Sequence, residues 1–522
     1  MADQRLTTRP DKAVAEDTDI IYIVRPSDTS ADASGTGFKM NRSAFRTDLE
    51  DLGIKHIQTI AEFNSLVTGA TAGKWLISSD ISLTASKTLP TGVELSFNNS
   101  TLDLNGFTLT GTNTKIDAGL TQIFSVNGGT FAGTFELKEI YPEWFGAKSG
   151  DDTVDDRVSF NDSMNFTNVI GGGTVKLTGS YLLDSRLGSG YAVEVFSNTT
   201  VKGNGMFDTL VKVGDNLPAD TPVFLSNSAS NLQYSDFEID GNKARHSSTG
   251  QPEDEGIDIK GGSNVRIYNM YIHDMYADAI DLDQISSVGN TVFIDSCLLK
   301  DNGGFGIHNN YDKSLISNCT VINNGHIRFA NGVDDTKFDI AGIDIRNSNS
   351  TIINCLIEDN IKGISVTLGG NAKVIGNTLN NNTDENISVG SIFLGTGSSD
   401  TIISNNICQG TLYGVRIIES QKGLLLSDNI IVSQGTSNAG VFVENTDGMN
   451  IKGGSYEGFY SILITGSSGE IVIDGSKFLG TQTGVRVETG VSNVNIINCY
   501  DNVSSGVNAV DLRGLVSDCI IS

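Results

Sequence analysis

Positive charge is scarce in this chain. Against 62 Asp and Glu it carries 35 Lys and Arg, a formal net charge of −27, and no part of it has the basic density needed to neutralise a phosphate backbone. Nucleic acid is excluded as a partner on that ground, and an anionic glycan would need a local basic strip. Proline is as sparse, 7 in 522 residues, whereas Gly reaches 59. With Asn, Ser, Thr, Ile and Val recurring throughout, this composition suits short strands joined by tight turns, and it argues against helical domains. No run approaches the ~18 apolar residues of a membrane span. Met1 is followed by the polar ADQRLTTRPDK, so no secretion signal is expected and synthesis in a cytoplasm is. The six cysteines show neither metal-ligand spacing nor a disulfide framework. Cys297, Cys319, Cys355 and Cys408 fall at similar points of successive repeats and are expected to be small buried thiols stacked on one another.

What is present is a period. Residues 1–52 carry one apolar run (IIYIV), polar linker and a short helical pattern (FRTDLEDLG), and read as an attachment arm. Residues 53–140 read as a β-region whose helix, Ile60 to Val67, caps the open end of a solenoid. Residues 141–522 read as the solenoid itself. From Gly256 a small residue, an apolar, a variable and another apolar residue recur as Gly256-Ile257-Asp258-Ile259, Ala279-Ile280-Asp281-Leu282, Gly306-Ile307-His308-Asn309 and Gly342-Ile343-Asp344-Ile345. The pattern continues at Gly363, Gly414, Gly440 and Gly484, with weaker copies around Ile392, Ile462 and Val510. Each step is one coil. A second strand follows within coils, as in Asn264-Val265-Arg266-Ile267, and ends at Asn, Asp or Ser, residues that accept left-handed bends. Period-two alternation excludes a leucine-rich horseshoe, whose helical half needs apolar residues at helical spacing. The expected fold is all-β, a right-handed parallel β-helix.

Alternation also selects the outward residues. With Ile257 and Ile259 inside, Asp258 and Lys260 point out, and the same register exposes Asp281 and Asp283, His308 and Asn310, Asp344 and Arg346. Two columns result, Asp258–Asp281–His308–Asp344 and Lys260–Asp283–Asn310–Arg346, with neighbours ~4.8 Å apart. Carboxylates ~5 Å apart suit a retaining glycosidase, and a wider pair leaves room for the water of an inverting one. Like charges this close raise one pKa, as a general acid requires. The bland alternative is a solvated acidic ladder offset by Lys260 and Arg346. Two polar excursions flank these coils, Asp240 to Glu255 and the long step between Ile307 and Ile343 (HIRFANGVDDTKFD), and loops on rigid scaffolds commonly contact substrate. Tyr276 and Tyr311 flank the outward strands and are candidate sugar-stacking residues. No metal site is expected, since neither His273 nor His326 has a partner at ligand spacing.

Residues 141–183 resemble the opening motif of the pectate-lyase-like β-helix superfamily, with Phe145-Gly146-Ala147, Gly150-Asp151, Asp155-Asp156, Gly172-Gly173-Thr174-Val175 and Gly179-Ser180-Tyr181. Asp155 or Asp156 is expected to cap the helix that follows. Glu255-Gly256-Ile257-Asp258 and Asp278-Ala279-Ile280 look like the acidic motifs of polygalacturonase-type hydrolases, with Asp278 in place of their general acid. The Gly-His-Gly of those enzymes falls on Gly304-Phe305-Gly306, without the histidine, and their Arg-Ile-Lys is echoed only by Ile345-Arg346. Asp281-Leu282-Asp283-Gln284 is similar to the Asp-Pro-His-Glu of alginate epimerases, again without the histidine, and Asp278 stands where that family has tyrosine.

The whole plan resembles a bacteriophage tailspike. That resemblance implies a homotrimer on a virion tail, joined by its N-terminal arm to a tail component, that binds and often cleaves a bacterial capsule, O-antigen or exopolysaccharide. On this reading Asp258, Asp278, Asp281 and Asp283 are acid, base or nucleophile of a glycoside hydrolase, and Glu255, Lys260, His308, Asn310, Asp344 and Arg346 bind substrate with the two tyrosines. No cofactor is expected. The alternatives are a lyase or epimerase acting on uronic acids, with Ca²⁺ held by the aspartates, and a non-catalytic receptor-binding spike.

Overall fold

A computed structural model gives the backbone of Ile21–Ile23 and Phe38–Met40 and describes residues 53–522, apart from 189, 246–253, 284–290, 327–339, 368–369, 391–398, 420–421, 435–437, 480, 502–507, 514–519 and 522. The expected helix in FRTDLEDLG lies outside these residues. Ile21–Ile23 and Phe38–Met40 pair antiparallel. The chain divides into two compact units, one of residues 1–138 with 143–146, the other of 139–142 with 147–522.

The first unit is already a parallel stack, in which Ile54–Ile57, Gly73–Ile77, Val93–Phe97 and Thr108–Asp117 pair in sequence. Its helix α1 (Ile60–Thr68) opens on a reciprocal capping box, the Thr59 hydroxyl accepting from the Glu62 amide and the Glu62 carboxylate from the Thr59 amide. The helix buries Phe63 edge-on against Trp75, with ring centroids 5.7 Å apart. It covers that end of the unit's core.

Among the described residues, three parallel sheets of 14, 13 and 13 strands build the second unit, successive strands going to each sheet in turn. Ile257, Ile280, Ile307, Ile343, Ile364, Ile387, Val415, Val441, Ile462, Val485 and Val510 stack in register along the third sheet. The countable period is thus the third-sheet strand. One position moves. The copy expected around Ile392 is the strand Glu385–Val389, because Asn386 holds the place of the small residue that marks the other copies.

The opening motif is structural. Helix α2 (Arg157–Val169) buries Phe160, Met164 and Phe166, and Phe160 meets Tyr181 edge-on at 5.1 Å. The expected Asp156 cap is not made. The Asp156 carboxylate instead accepts from the amides of Lys148 at 2.7 Å and Leu182 at 3.2 Å, while Asp155 accepts from the amides of Arg157 and Asp184. The two aspartates therefore tie the motif to the strand Ser180–Leu183, with Asp155 alone serving the helix start.

At the bend between first and second sheets, Ser296, Asn318, Asn354, Gly376, Asn405 and Asp428 take the left-handed backbone. The next residues, Cys297, Cys319, Cys355, Asn377, Asn406 and Asn429, turn inward and are buried. Cys408 is not one of them. It is an inward residue of the second-sheet strand Ile407–Thr411, between Leu379 and Ile431. The thiols of all four are free and buried. A second buried line, Asn302, Asn324, Asn360 and Asn382, runs near the bend into the third sheet, each side-chain amide donating to the carboxamide oxygen of the next.

Candidate active site

Four third-sheet strands carry the site: β1 (Ile257–Lys260), β2 (Ile280–Asp283), β3 (Ile307–Asn309) and β4 (Ala341–Ile345). Their pairing aligns Asp258 with Asp281, Asp281 with His308 and His308 with Asp344, and beside them Lys260 with Asp283. Both polar excursions fall, in sequence, between a second-sheet strand and a third-sheet strand, β1 in one case and β4 in the other, and their residues 246–253 and 327–339 lie outside the described residues. The shorter corners before β2 and β3 carry Asp278 and Phe305, next to Asp281 and His308 on the strands they lead into.

The column is not uniformly open. Asp281 and His308 side chains are each 14% exposed, whereas Asp258 (1%) and Asp344 (0%) are buried although they occupy outward strand positions. Each buried carboxylate has a cation from the neighbouring column against it: Lys260 Nζ lies 3.1 Å from Asp258 Oδ2, and Arg346 Nε donates to Asp344 Oδ2 at 2.7 Å. His308 is the hub. Its Nδ1 is 3.0 Å from Asp281 Oδ1 and 3.9 Å from Asp278 Oδ2, its Nε2 is 3.7 Å from Asp344 Oδ2, and its ring stacks on Phe305 at 4.9 Å. Asp278, at the corner before β2, accepts from the Phe305 amide at 2.7 Å. Asn310 donates to Asp283 Oδ1 at 2.9 Å. Glu255 is buried at the end of the first excursion.

Burial sets the electrostatics. Desolvation, reinforced by Asp278, Asp258 and Asp281, pushes the Glu255 carboxyl well above the usual carboxylate range. Desolvation, then the charge of Asp281, raises Asp258 to about 7 against the opposing Lys260. Desolvation also lowers His308, partly offset by Asp344 and Asp278, so its imidazole is neutral at pH 7. Burial thus favours the protonated form of Glu255 and brings Asp258 to about 7.

Two expected residues are placed differently. Tyr276 and Tyr311 are buried; the chain turns inward after Asn309, whose carboxamide accepts from the Tyr311 amide at 3.1 Å, and the Tyr311 ring joins the main core. Neither tyrosine presents a ring face to solvent. Phe305, which stacks on His308, is buried as well, with the Arg346 guanidinium 5.9 Å from its ring centroid. A further charged group on the same sheet escapes the sequence pattern: buried Glu385 pairs with Arg416 at 2.6 Å and Lys362 at 3.4 Å. The misplaced Ile392 coil hid it, and the signal that would have found it is Glu385-Asn386-Ile387-Ser388-Val389.

Asp278, Asp281 and His308 lie close enough to share a metal ion, with one ligand atom from each within 4.8 Å of the others. Two carboxylates and an imidazole do not fit Ca²⁺, which takes six to eight oxygen ligands. In the other such group, Asp240, His273 and Asp274, both His273 nitrogens already bond to carboxylates, Asp274 and Glu238.

Residues 336–455 match the family model described as a right handed beta helix region, and a search of curated proteins finds no match. Among solved structures, the tailspike protein of E. coli bacteriophage HK620 in complex with pentasaccharide aligns with a TM-score of 0.55 at 11% identity, over 72% of this chain and 78% of that one. The pre-mature gene product 12 of bacteriophage phi29 gives 0.52 at 16% identity, over 73% and 51%. The A-module of the Azotobacter vinelandii mannuronan C-5 epimerase AlgE4 gives 0.45 at 14%, over 73% and 99%. The chain is a right-handed parallel β-helix protein. Its likeness to the HK620 tailspike and to phi29 gene product 12 is one of fold.

Proposed function

We propose that this protein binds a bacterial surface polysaccharide (capsule, O-antigen or exopolysaccharide) and depolymerises it by glycoside hydrolysis, as a homotrimeric spike on a phage tail, made in the host cytoplasm and attached through residues 1–52. The observation that carries the hydrolytic reading is the pair Asp281 and Asp283. They lie on one face of β2, two residues apart, which is roughly 7 Å along a strand. They are also partly open, while Asp258, Asp278 and Glu255 are buried around them. That backbone spacing lets the two carboxyl groups reach the separation at which one protonates the leaving oxygen and the other activates a water on the opposite face of the sugar, the inverting geometry. The closer pair, Asp258 and Asp281, would suit retention, but Asp258 is enclosed. His308 holds Asp281 through Nδ1, Asn310 holds Asp283, and the buried acids keep the site from losing all its protons. No cofactor enters this reaction.

The test is a panel of purified bacterial polysaccharides read for new reducing ends. Wild type is expected to release them with inversion at the anomeric carbon. Asp281→Asn is expected to lose roughly 10²- to 10⁴-fold in rate while still binding the polymer. Absence of new ends from every polymer, or an undiminished Asp281→Asn rate, refutes the reading.

His308 supports a second reading. The histidine missing from the epimerase-like motif is supplied one coil later, neutral and 3.0 Å from Asp281, with Arg346 nearby for a uronate carboxylate. A lyase would give ultraviolet absorbance from an unsaturated product, and an epimerase solvent-proton exchange at C5 without cleavage. Binding with no product at any enzyme concentration would leave a receptor-binding spike.

A further inference from the structure

The second sheet carries outward side chains that the site does not use. In the coils beside β1 and β2, Leu210, Glu238, Tyr271 and Leu298 align in one column, and Lys212, Asp240, His273 and Lys300 in the next. Phe207, in the bend preceding this sheet, is 68% exposed, and its ring lies 5.6 Å from that of Tyr271. Tyr271 in turn stacks on His273 at 4.3 Å, the planes 22° apart. The imidazole is fixed at both nitrogens, Nδ1 at 2.8 Å from Asp274 and Nε2 at 2.9 Å from Glu238. Three rings thus form a strip whose geometry is set before anything binds.

What surrounds the strip selects its occupant. Glu238, Asp240, Lys212 and Lys300 border the rings, and covering them with an apolar protein surface would strand charges without water. A pyranose meets both demands: its C–H face lies on an aromatic ring while its hydroxyls donate to carboxylates and accept from ammonium groups. The carboxylates nearest the rings disfavour a carboxylated sugar. The strip lies on the second-sheet strands of the same coils that carry the candidate site. Lys243 pairs with Asp274 at 2.9 Å, Arg245 pairs with the buried Asp254 at 3.3 Å, and the residue after Asp254 is Glu255 of the candidate site.

We propose that Phe207, Tyr271 and His273 form a second, non-catalytic subsite that takes an uncharged pyranose unit of the same polymer as it leaves the groove across the corner, an assignment that rests on the polysaccharide reading. The subsite adds affinity for long chains and contributes nothing to bond cleavage.

Affinity electrophoresis through gels containing a polysaccharide that retards wild type tests this, alongside turnover of a short oligosaccharide cut from the same polymer. Phe207→Ala, which removes an exposed ring, and Tyr271→Ala should each weaken retention of the full-length protein roughly three- to tenfold, with short-substrate turnover, circular dichroism and sedimentation unchanged. Unchanged retention overturns the proposal. So does a change in sedimentation with retention intact, which would assign the strip to a protein contact. A wild type that no polysaccharide retards overturns the underlying reading and this subsite with it.

Discussion

Asp258 stores a cost that the site exploits. Its carboxyl is raised from 3.8 to about 7 by burial and by Asp281. A carboxyl that binds its proton more tightly folded than unfolded contributes fully to stability below its unfolded pKa, and that contribution is lost as pH rises through the folded value. Between about pH 4 and pH 7, ionising Asp258 therefore works against the fold, with a ceiling of about 4 kcal/mol. Asp258→Asn is expected to melt higher than wild type at pH 8, the gain shrinking toward zero by pH 4. Thermal denaturation at the two pH values measures it, and an Asn variant less stable at pH 8 would contradict the assignment. Glu255 is raised by the same burial. Hydrolysis that draws on these shared protons should decline as pH passes 7.

The asparagine lines act at the scale of the coil. Asn360 donates to the carbonyls of Val321 and Glu358 and to Asn382, and accepts from both the amide and the side chain of Asn324. Asn360→Ala strands buried partners in two adjoining coils, and the expected loss is about 2–4 kcal/mol, read as a lowered denaturant midpoint. Asn349, exposed at a bend, should tolerate the same change much better. The same comparison shows what sequence reveals. Period-two alternation with Gly-Ile-Asp in phase located β1 to β4, because side-chain direction follows backbone period alone. Exposure did not follow. Asp258 and Asp344 take outward positions and are buried, since packing by neighbouring coils and corners depends on which residues are adjacent across a coil and not along it. Tyr311 was misread for that reason: one turn after Asn309 carries its ring into the core. Glu385 was missed because the local copy of the repeat begins with Asn.

For the molecule as a whole, the two-unit division makes a fragment informative. Residues 139–522 hold all three long sheets, and α2 packs at their N-terminal end against Gly173–Lys176 and Val193–Glu194. This fragment is expected to show a β-rich circular dichroism spectrum and to release reducing ends at the rate of the full chain. An unfolded fragment would make the first unit a required partner in folding. Light scattering on the full chain tests the homotrimer.

The lines of asparagine and cysteine have a consequence for how such a chain can change over time. Each inward residue is matched to its like one coil away, so an insertion of arbitrary length within a strand would put every later match out of step. A whole coil bearing its own asparagine would not. Before β1 and before β4 the sequence between the second-sheet and third-sheet strands is longer than at the corners before β2 and β3, so length varies there outside the matched residues. Inheritance of length in this molecule should therefore be quantised within the strands and continuous at such corners, where a lineage can alter what it recognises without disturbing what holds it together.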